Sequence, residues 1–231
     1  MVRWLLGRVS LAGWMAAGLA VVADPGREGP VRAAATIIAL PKPALKGAAS
    51  IEEALGARRS VREFTSDPLT AGQVSQLLWA AQGITHGEGH RTAPSAGALY
   101  PLEIYLARVD GLFHYLPQRH ALEPVSDRDL RREIQRAALG QDAIGDAPAT
   151  LVIAAVYART EARYGKARAP RYVHMEAGHA AQNVLLQAAA IGLGGVPIGA
   201  FDDAGLQKVL GLAPDHRPIY LIPVGRPRGG P

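Results

Sequence analysis

The sequence predicts an α+β fold in a single domain, and three observations support this. Segments with helical periodicity and β-prone segments follow one another without the regular alternation that a doubly wound parallel sheet requires. The stretch from Glu103 to Leu116 places two β-prone runs on either side of Asp110-Gly111, a strong hairpin signal. With 48% hydrophobic and 19% charged residues, the 231-residue chain can bury a full core.

The first helices are predicted from their caps. Ser50 followed by Glu53 has the spacing of a capping box, so we expect a helix from Ile51 to about Ala57. Thr70 precedes a second helix, which Gly83 ends. The apolar residues of that helix recur at the helical period: Val74, Leu77, Leu78 and Ala81.

The second half of the chain contains a buried strand and a long helix. The run from Ala149 to Tyr157 is continuously apolar, as in a strand covered on both faces. The long helix is expected from about Arg171 to Ile191, and its alanine-rich face predicts a core or subunit contact. The other expected elements are a charged helix from Asp127 to about Leu139, a turn at 192–195, a short run at 196–198, a helix at 203–210 and a strand at 219–224.

The N-terminal region differs in composition from the rest. Residues 1–23 combine Arg3 and Arg8 with apolar stretches and contain no acidic residue, which resembles a secretory signal cleaved after Ala23. Export, to the periplasm or the medium, is the expectation; a mis-assigned start (leaving the protein cytoplasmic) and an uncleaved anchor are the alternatives. A stable membrane span is not expected in the mature chain. Residues 24–49, rich in Pro, Gly and Ala, predict a flexible linker, and residues 50–231 the folded domain.

Charge and cysteine content exclude several kinds of site. Lys and Arg number 25 against 20 Asp and Glu, and this excess of +5 is spread along the chain, so nucleic acid is not an expected partner. The absence of cysteine excludes disulfides, thiolate zinc sites and cysteine nucleophiles. His86 and His90 lack a third ligand nearby in sequence, so no metal is predicted. No Gly-x-Gly-x-x-Gly follows a strand, and Ser95 lacks a Gly-x-Ser-x-Gly elbow.

Three segments could contribute to a binding site. The first holds Arg58, Arg59, Ser60 and Arg62, whose guanidinium groups and hydroxyl suit a phosphate, although a solvated basic turn has the same composition. The second comprises Pro94, Ser95, Ala96, Gly97 and Ala98, where small residues between prolines would let a flat ligand approach backbone amides. The third runs from Gly194 to Asp202 and is equally compatible with a helix cap and tight turn.

Taken in this order and spacing, these motifs resemble the nitroreductase family, and most closely its SagB-type dehydrogenase subgroup. The resemblance covers about residues 51–226. Its specific parts are Arg-Arg-Ser-Val-Arg-Glu-Phe at 58–64, Pro-Ser-Ala-Gly-Ala-Leu-Tyr-Pro at 94–101, Glu-Ala-Gly-His-Ala-Ala-Gln-Asn at 176–183 and Val-Pro-Ile-Gly-Ala-Phe-Asp at 196–202. It implies a nitroreductase-like fold with a central mixed or antiparallel sheet flanked by helices, in an intertwined homodimer with FMN between the subunits.

The resemblance also implies roles for single residues. Arg58 and Ser60, with Arg59 beside them, match positions that hold the FMN phosphate and ribityl chain, and Arg62 matches a basic residue at the pyrimidine edge. Residues 94–98 match a loop that covers the flavin from the partner subunit. Gly199 and Ala200 match backbone that lies against the flavin near N5. Two departures are Ala98, where many relatives carry a polar residue, and the early C-terminus, which leaves Arg226 or Arg228 to complete the phosphate site.

The expected function is therefore an FMN-dependent oxidoreductase that transfers hydride through flavin N5. The donor would be NAD(P)H or an organic substrate, and the acceptor an oxidised nitro, quinone or azoline-type compound. Nicotinamide would bind transiently over the flavin, because no Rossmann site is predicted. A flavin-binding protein without turnover, for storage or sensing, is the alternative. The broad small-residue face of the long helix is expected in the dimer core, on the reasoning that a monomer could not cover it.

Overall fold

A computed structural model describes residues 36–229. The predicted signal segment, 1–23, and the first part of the predicted linker, 24–35, lie outside the described residues. No helix in the described range is both long enough and apolar enough to cross a membrane.

One seven-stranded antiparallel sheet runs through the described chain, in the strand order β1-β4-β3-β2-β5-β7-β6. This confirms the α+β class, since every strand pairing is antiparallel. The strands are β1 (Ile38–Ala39), β2 (Leu102–Arg108), β3 (Gly111–Leu116), β4 (Ala121–Ser126), β5 (Ala149–Ala155), β6 (Gly194–Gly195) and β7 (Arg217–Gly225).

The helices pack on both faces of this sheet. They are α1 (Ile51–Ala57), α2 (Ala71–Gln82), α3 (Arg131–Ala137), α4 (Asp142–Asp146), α5 (Tyr157–Tyr164), α6 (Ala169–Ala190) and α7 (Asp203–Leu210), with a short 3-10 turn at Ala96–Ala98. Alternate residues of β2 face opposite sides. Ile104 and Leu106 belong to a core with α2 and α6, whereas Tyr105 and Ala107 belong to a core with α3, α4 and α7.

The predicted capping box at Ser50 is confirmed, and the helix that begins after Thr70 has a second one. Ser50 Oγ accepts from Glu53 N at 3.1 Å while Ser50 N donates to the Glu53 carboxylate at 2.6 Å. Thr70 and Gln73 make the equivalent pair at 3.2 and 2.9 Å. Each pair satisfies two backbone donors that a helix start would otherwise leave unpaired.

The predicted hairpin is confirmed, but its turn lies one residue earlier than expected. Arg108 pairs with Gly111, so Val109 and Asp110 form the loop and Gly111 opens β3. Gly111 has φ +139°, and a Cβ there would lie 2.2 Å from the Ser126 carbonyl oxygen. The glycine is therefore required by the approach of β4 rather than by the turn itself.

The small-residue face of α6 lies within the core of its own chain, contrary to the expectation of a dimer core. Ala180, Ala181 and Val184 are at most 2% exposed and pack with residues of α2 and the sheet. The long helix was expected in the core or at a subunit contact, and this face lies in the core. The reasoning that a monomer could not cover the face was wrong, because α2 and one face of the sheet cover it. The outward side of α6 carries other residues, including Met175, Gly178 and Gln182.

Residues 36–49, the second half of the predicted linker, are joined to the domain by hydrogen bonds. Ile38 pairs with Leu122 of β4. Ala44 N donates to the Gln76 side chain at 2.9 Å, and the Gln76 amide donates back to the Ala44 carbonyl at 3.1 Å. These pairings satisfy backbone groups that a flexible linker would leave to water.

Candidate functional site

The arginine segment runs alongside the glycines of β6. Arg58 is the C-cap of α1, and its amide donates to Ala54 O at 2.9 Å. Beyond it, Ser60 forms a parallel bridge with Gly195, and Val61 N donates to Gly195 O at 3.1 Å. These backbone contacts join residues 135 positions apart in the sequence (195 minus 60).

A cavity of about 650 Å³ lies beside this junction, and arginines are its only charged lining residues. Arg58, Arg59 and Arg226 line it without any carboxylate among the lining residues. Within residues 36–229, the Arg58 and Arg226 side chains make no ion pair with an acidic residue. The rest of the lining is small or apolar: Ala57, Val61, Leu185, Ala189, Gly192, Leu193, Gly194, Gly195 and Pro227. Arg59 Nη1 donates to the Gly56 and Arg58 carbonyls at 2.6 and 3.1 Å. Guanidinium groups that have no acidic partner at a concave surface suit an anionic ligand such as a phosphate.

The structure separates the two C-terminal arginines that the sequence left as alternatives. Arg226 lines the cavity. Arg228 instead donates from its guanidinium to Phe64 O at 3.1 Å, and its amide donates to Glu63 O at 3.0 Å. Arg226 is therefore the residue positioned to add a third positive charge to the cavity.

The other predicted site residues do not line this cavity. Arg62 is exposed and Ser60 is exposed beside the cavity. Gly199 and Ala200 are exposed in the segment after Ile198, where the Gln141 amide donates to Ala200 O at 2.9 Å. Within the described chain, Arg58 and Arg59 therefore lie around the same cavity as Gly194, Gly195 and Arg226. Gly199, Ala200 and the 94–98 segment are not among the residues that line it.

The segment 94–100 has an unusual backbone. Gly97 has φ +64°, and Ala98 and Tyr100 have φ +53° and +45°. Positive φ is uncommon for residues with a Cβ and persists where surrounding contacts enforce it. A Cβ at Gly97 would approach the Arg163 guanidinium at 3.0 Å and the Tyr164 hydroxyl at 3.1 Å, so α5 restricts this position.

Hydrogen bonds from both sides hold this segment. Ser95 Oγ accepts from Tyr100 N at 2.9 Å and donates to Glu176 Oε2 of α6 at 2.5 Å. From α5, the Arg159 guanidinium donates to Tyr100 O at 3.0 Å. Pro94, Gly97 and Ala98 remain exposed. The segment is thus a rigid loop with an exposed surface of small residues.

Glu176 is a buried carboxyl that our sequence reasoning quoted only as part of a motif. It is 3% exposed, and its Oε1 has no hydrogen-bond partner among the described residues. Burial raises its pKa to about 7, while the Ser95 hydrogen bond and the charge of Arg91 act in the opposite direction. The Gln82 side chain also lowers this pKa. The available signal was a carboxylate in register with Val173 and Ala180 on the apolar face of α6.

Arg91 is the charged group next to this carboxyl. Its guanidinium donates to Gln82 Oε1 at 2.8 Å and lies 4.6 Å from the centre of the Tyr100 ring. Burial lowers its pKa. Arg91, Gln82, Tyr100, Ser95 and Glu176 therefore form one polar cluster beneath the loop.

Comparisons with known proteins identify the class. The sequence model of the nitroreductase family matches residues 55–226. The chain therefore belongs to the nitroreductase family and is a flavin oxidoreductase of that family.

Individual relatives agree with this assignment. A protein of Methanocaldococcus jannaschii named as a nitroreductase is 47% identical over 182 residues, which are 76% of this chain and 90% of that protein. A crystal structure from Ralstonia eutropha, also named as a nitroreductase, is 34% identical with a TM-score of 0.76, covering 84% of this chain and 90% of that chain.

The SagB-type resemblance has a counterpart in the microcin B17-processing protein McbC of Escherichia coli. McbC is 31% identical over 145 residues, which are 58% of this chain and 52% of McbC. The structure of the microcin synthetase McbBCD complex matches with a TM-score of 0.65 at 26% identity, covering 82% of this chain and 77% of that chain.

Proposed function

We propose that the chain is an FMN-dependent oxidoreductase of the SagB-type subgroup, with the cofactor phosphate in the arginine-lined cavity. The observation that carries the proposal is the convergence of Arg58, Arg59 and Arg226 on one concave surface without a neutralising carboxylate. Three guanidinium groups at such a surface match the charge and the fork geometry of a phosphate. The bound flavin would supply hydride transfer between a donor, such as NAD(P)H, and an oxidised nitro, quinone or azoline-type acceptor.

The protein's part is to hold and orient the cofactor. The backbone of Gly194 and Gly195 forms one wall of the cavity, where the absence of side chains allows close approach. Arg62 is proposed to lie at the pyrimidine edge, where a cation stabilises the negative charge of a reduced ring. Gly199 and Ala200 are proposed to lie against the ring by their exposed backbone.

We also propose that the active unit is a homodimer. The exposed 94–98 loop does not line the arginine cavity of its own chain, so it is available to cover the flavin of a second subunit. A second, apolar groove of about 620 Å³ includes Leu45 and Ile51, which are 81% and 56% exposed. Leu186, Ala190 and Ile191 line the same groove. Large exposed apolar side chains around a groove favour burial against another surface.

The central test is the cofactor content of the purified protein. Expressed from about Asp24, it should be yellow and release one FMN per subunit, because the site provides matching charge. Absorbance of the supernatant after denaturation measures the stoichiometry and identifies the flavin. A colourless protein that cannot be reconstituted with FMN would refute the proposal. If the colour is present but neither bleaches with nicotinamide or another donor nor returns with an acceptor, the protein is a flavin carrier without turnover.

The assigned arginines should behave differently when substituted. Arg58→Ala should weaken FMN binding about ten- to a hundredfold, since a lost charge-assisted contact costs about 1.5 to 3 kcal/mol. Arg62→Ala should retain FMN more tightly than Arg58→Ala and should instead lower the flavin reduction potential. Fluorescence titration with FMN and spectroelectrochemistry measure the two quantities. Arg228→Ala is the matched control, because Arg228 bonds the backbone outside the cavity. Unchanged FMN affinity in Arg58→Ala would disprove the phosphate assignment.

A further inference from the structure

We propose that Glu176 is a positioning residue whose protonation state decides whether the Ser95 hydroxyl points its hydrogen inward to α6 or outward to a bound flavin. The geometric basis is the chain of contacts from the buried carboxyl through Ser95 to the exposed loop. The outward half of the proposal rests on the proposed function, since it needs a flavin against the exposed side of the loop. The inward half does not.

The hydroxyl of Ser95 has one hydrogen and two lone pairs. One lone pair accepts from Tyr100 N, which fixes the shape of the loop. When Glu176 is ionised, it can only accept, so the Ser95 hydrogen must point to Oε2. When Glu176 is protonated, its own O–H can donate to Ser95 Oγ, and the Ser95 hydrogen is released for another acceptor. No bond breaks other than these hydrogen bonds.

The surroundings of the Glu176 carboxyl favour a change in its ionisation near neutral pH. Glu176 is almost fully buried, and desolvation is the largest influence on its ionisation. The charged group facing it is Arg91, from the segment before the loop. Gln82 from α2 and Ser95 from the loop are neutral partners. Arg159 of α5 pairs with Glu103 and the Tyr100 carbonyl rather than with Glu176.

A buried carboxyl with a single hydrogen-bond partner is costly to maintain for structure alone. A leucine in the same place would avoid the desolvation of a carboxyl. The position of Glu176 under a loop with two non-glycine residues at positive φ points instead to control of that loop.

The test uses the protein as purified and follows the backbone amide of Tyr100 by NMR between about pH 5 and pH 9. In the wild type we expect a transition centred near pH 7, because the acceptor of this amide changes its own partner. Glu176→Gln should abolish the transition, since its amide donates to Ser95 at every pH. Glu88→Gln is the matched control, with the same charge change on an exposed loop residue, and should keep the transition. This readout does not depend on bound flavin.

The second readout is FMN affinity, measured by fluorescence at about pH 6 and pH 8. For each pH, the FMN affinity of the wild type is divided by that of Glu176→Gln. We expect this ratio to be about three- to tenfold higher at pH 6 than at pH 8, because one neutral hydrogen bond is gained. Comparing variants removes the titration of the phosphate itself, which is common to all. Glu176→Gln should stay tight at both values, and Ser95→Ala should stay weak at both.

The outcomes separate the two parts. A flat Tyr100 amide in the wild type, or an unchanged transition in Glu176→Gln, overturns the role of Glu176 whether or not flavin binds. The Tyr100 amide of the wild type could titrate while the wild type binds FMN as tightly as Glu176→Gln at both pH values. That result overturns the outward donation to the flavin. Absence of FMN binding in every variant refutes the proposed function and leaves the inward hydrogen bond established by the amide data.

Discussion

Ala181→Glu should abolish folding of the protein. Ala181 is 2% exposed and lies in the core formed by α2, α6 and the sheet. The core residues packed around it are apolar, and an unpaired buried charge costs several kcal/mol. A domain is stable by only about 5 to 15 kcal/mol, so this charge together with the overpacking of a glutamate side chain at an alanine site removes most or all of that stability. Soluble yield and the near-ultraviolet circular dichroism measure the outcome.

Ile51→Glu is the matched variant for the proposed interface. Ile51 is 56% exposed at the first position of α1, where a carboxylate is favoured by the unpaired amides of the helix start. The variant should therefore fold but sediment as a monomer, and it should lose FMN because a ligand bound across two subunits stabilises their association. If Ala181→Glu folds and forms a dimer, the Ala181 face of α6 does not lie in the core, and its assignment to the subunit interface has to be reconsidered. A dimeric, fully yellow Ile51→Glu protein would exclude the groove around Leu45 and Ile51 from it.

Local signals explain which elements could be predicted from the sequence. A capping box, an Asp-Gly turn and a continuous apolar run each depend on residues close together in the chain, and each identified its element. Strand β4 was missed because Glu123 and Pro124 interrupt its apolar pattern. The edge strand β1 pairs only with Ala121 and Leu122, so it requires no backbone donor from Pro124. Helix α5 was missed because three of its eight residues are charged and only Thr160 is buried, so no apolar stripe marks it.

The candidate site shows the corresponding limit. Residue type made Arg58 and Arg59 candidate phosphate ligands, but their position beside Gly194 and Arg226 depends on contacts between distant parts of the chain. Before the structure, only the resemblance to a family could predict that these residues lie close together. The same limit applies to α6, where periodicity showed a small-residue face correctly and gave no information on whether α2 or a second subunit covers it.

Close packing between the arginine segment and β6 leads to the second large expected effect. A Cβ at Gly194 would lie 2.5 Å from Val61 Cγ2 and 2.7 Å from Val61 Cβ. Real side-chain contacts do not reach these distances, and the Val61 Cβ cannot move without its backbone. Val61 is tied to Gly195 by a backbone hydrogen bond, so the displacement would pass into the neighbouring Arg58 and Arg59.

Gly194→Ala should therefore destabilise the protein by about 1 to 3 kcal/mol, as overpacking does, and weaken FMN binding at least about tenfold by misplacing the guanidinium groups. Gly178→Ala is the control, since a Cβ there meets no atom within 4 Å and the helix should gain stability. Adding Val61→Ala to Gly194→Ala removes the methyl contacts but leaves the one at the Val61 Cβ, so recovery of FMN affinity should be partial. Thermal unfolding and fluorescence titration of the three variants measure both effects. If Gly194→Ala binds FMN like the wild type while its unfolding midpoint falls, the wall of the cavity supports the fold and does not position the cofactor.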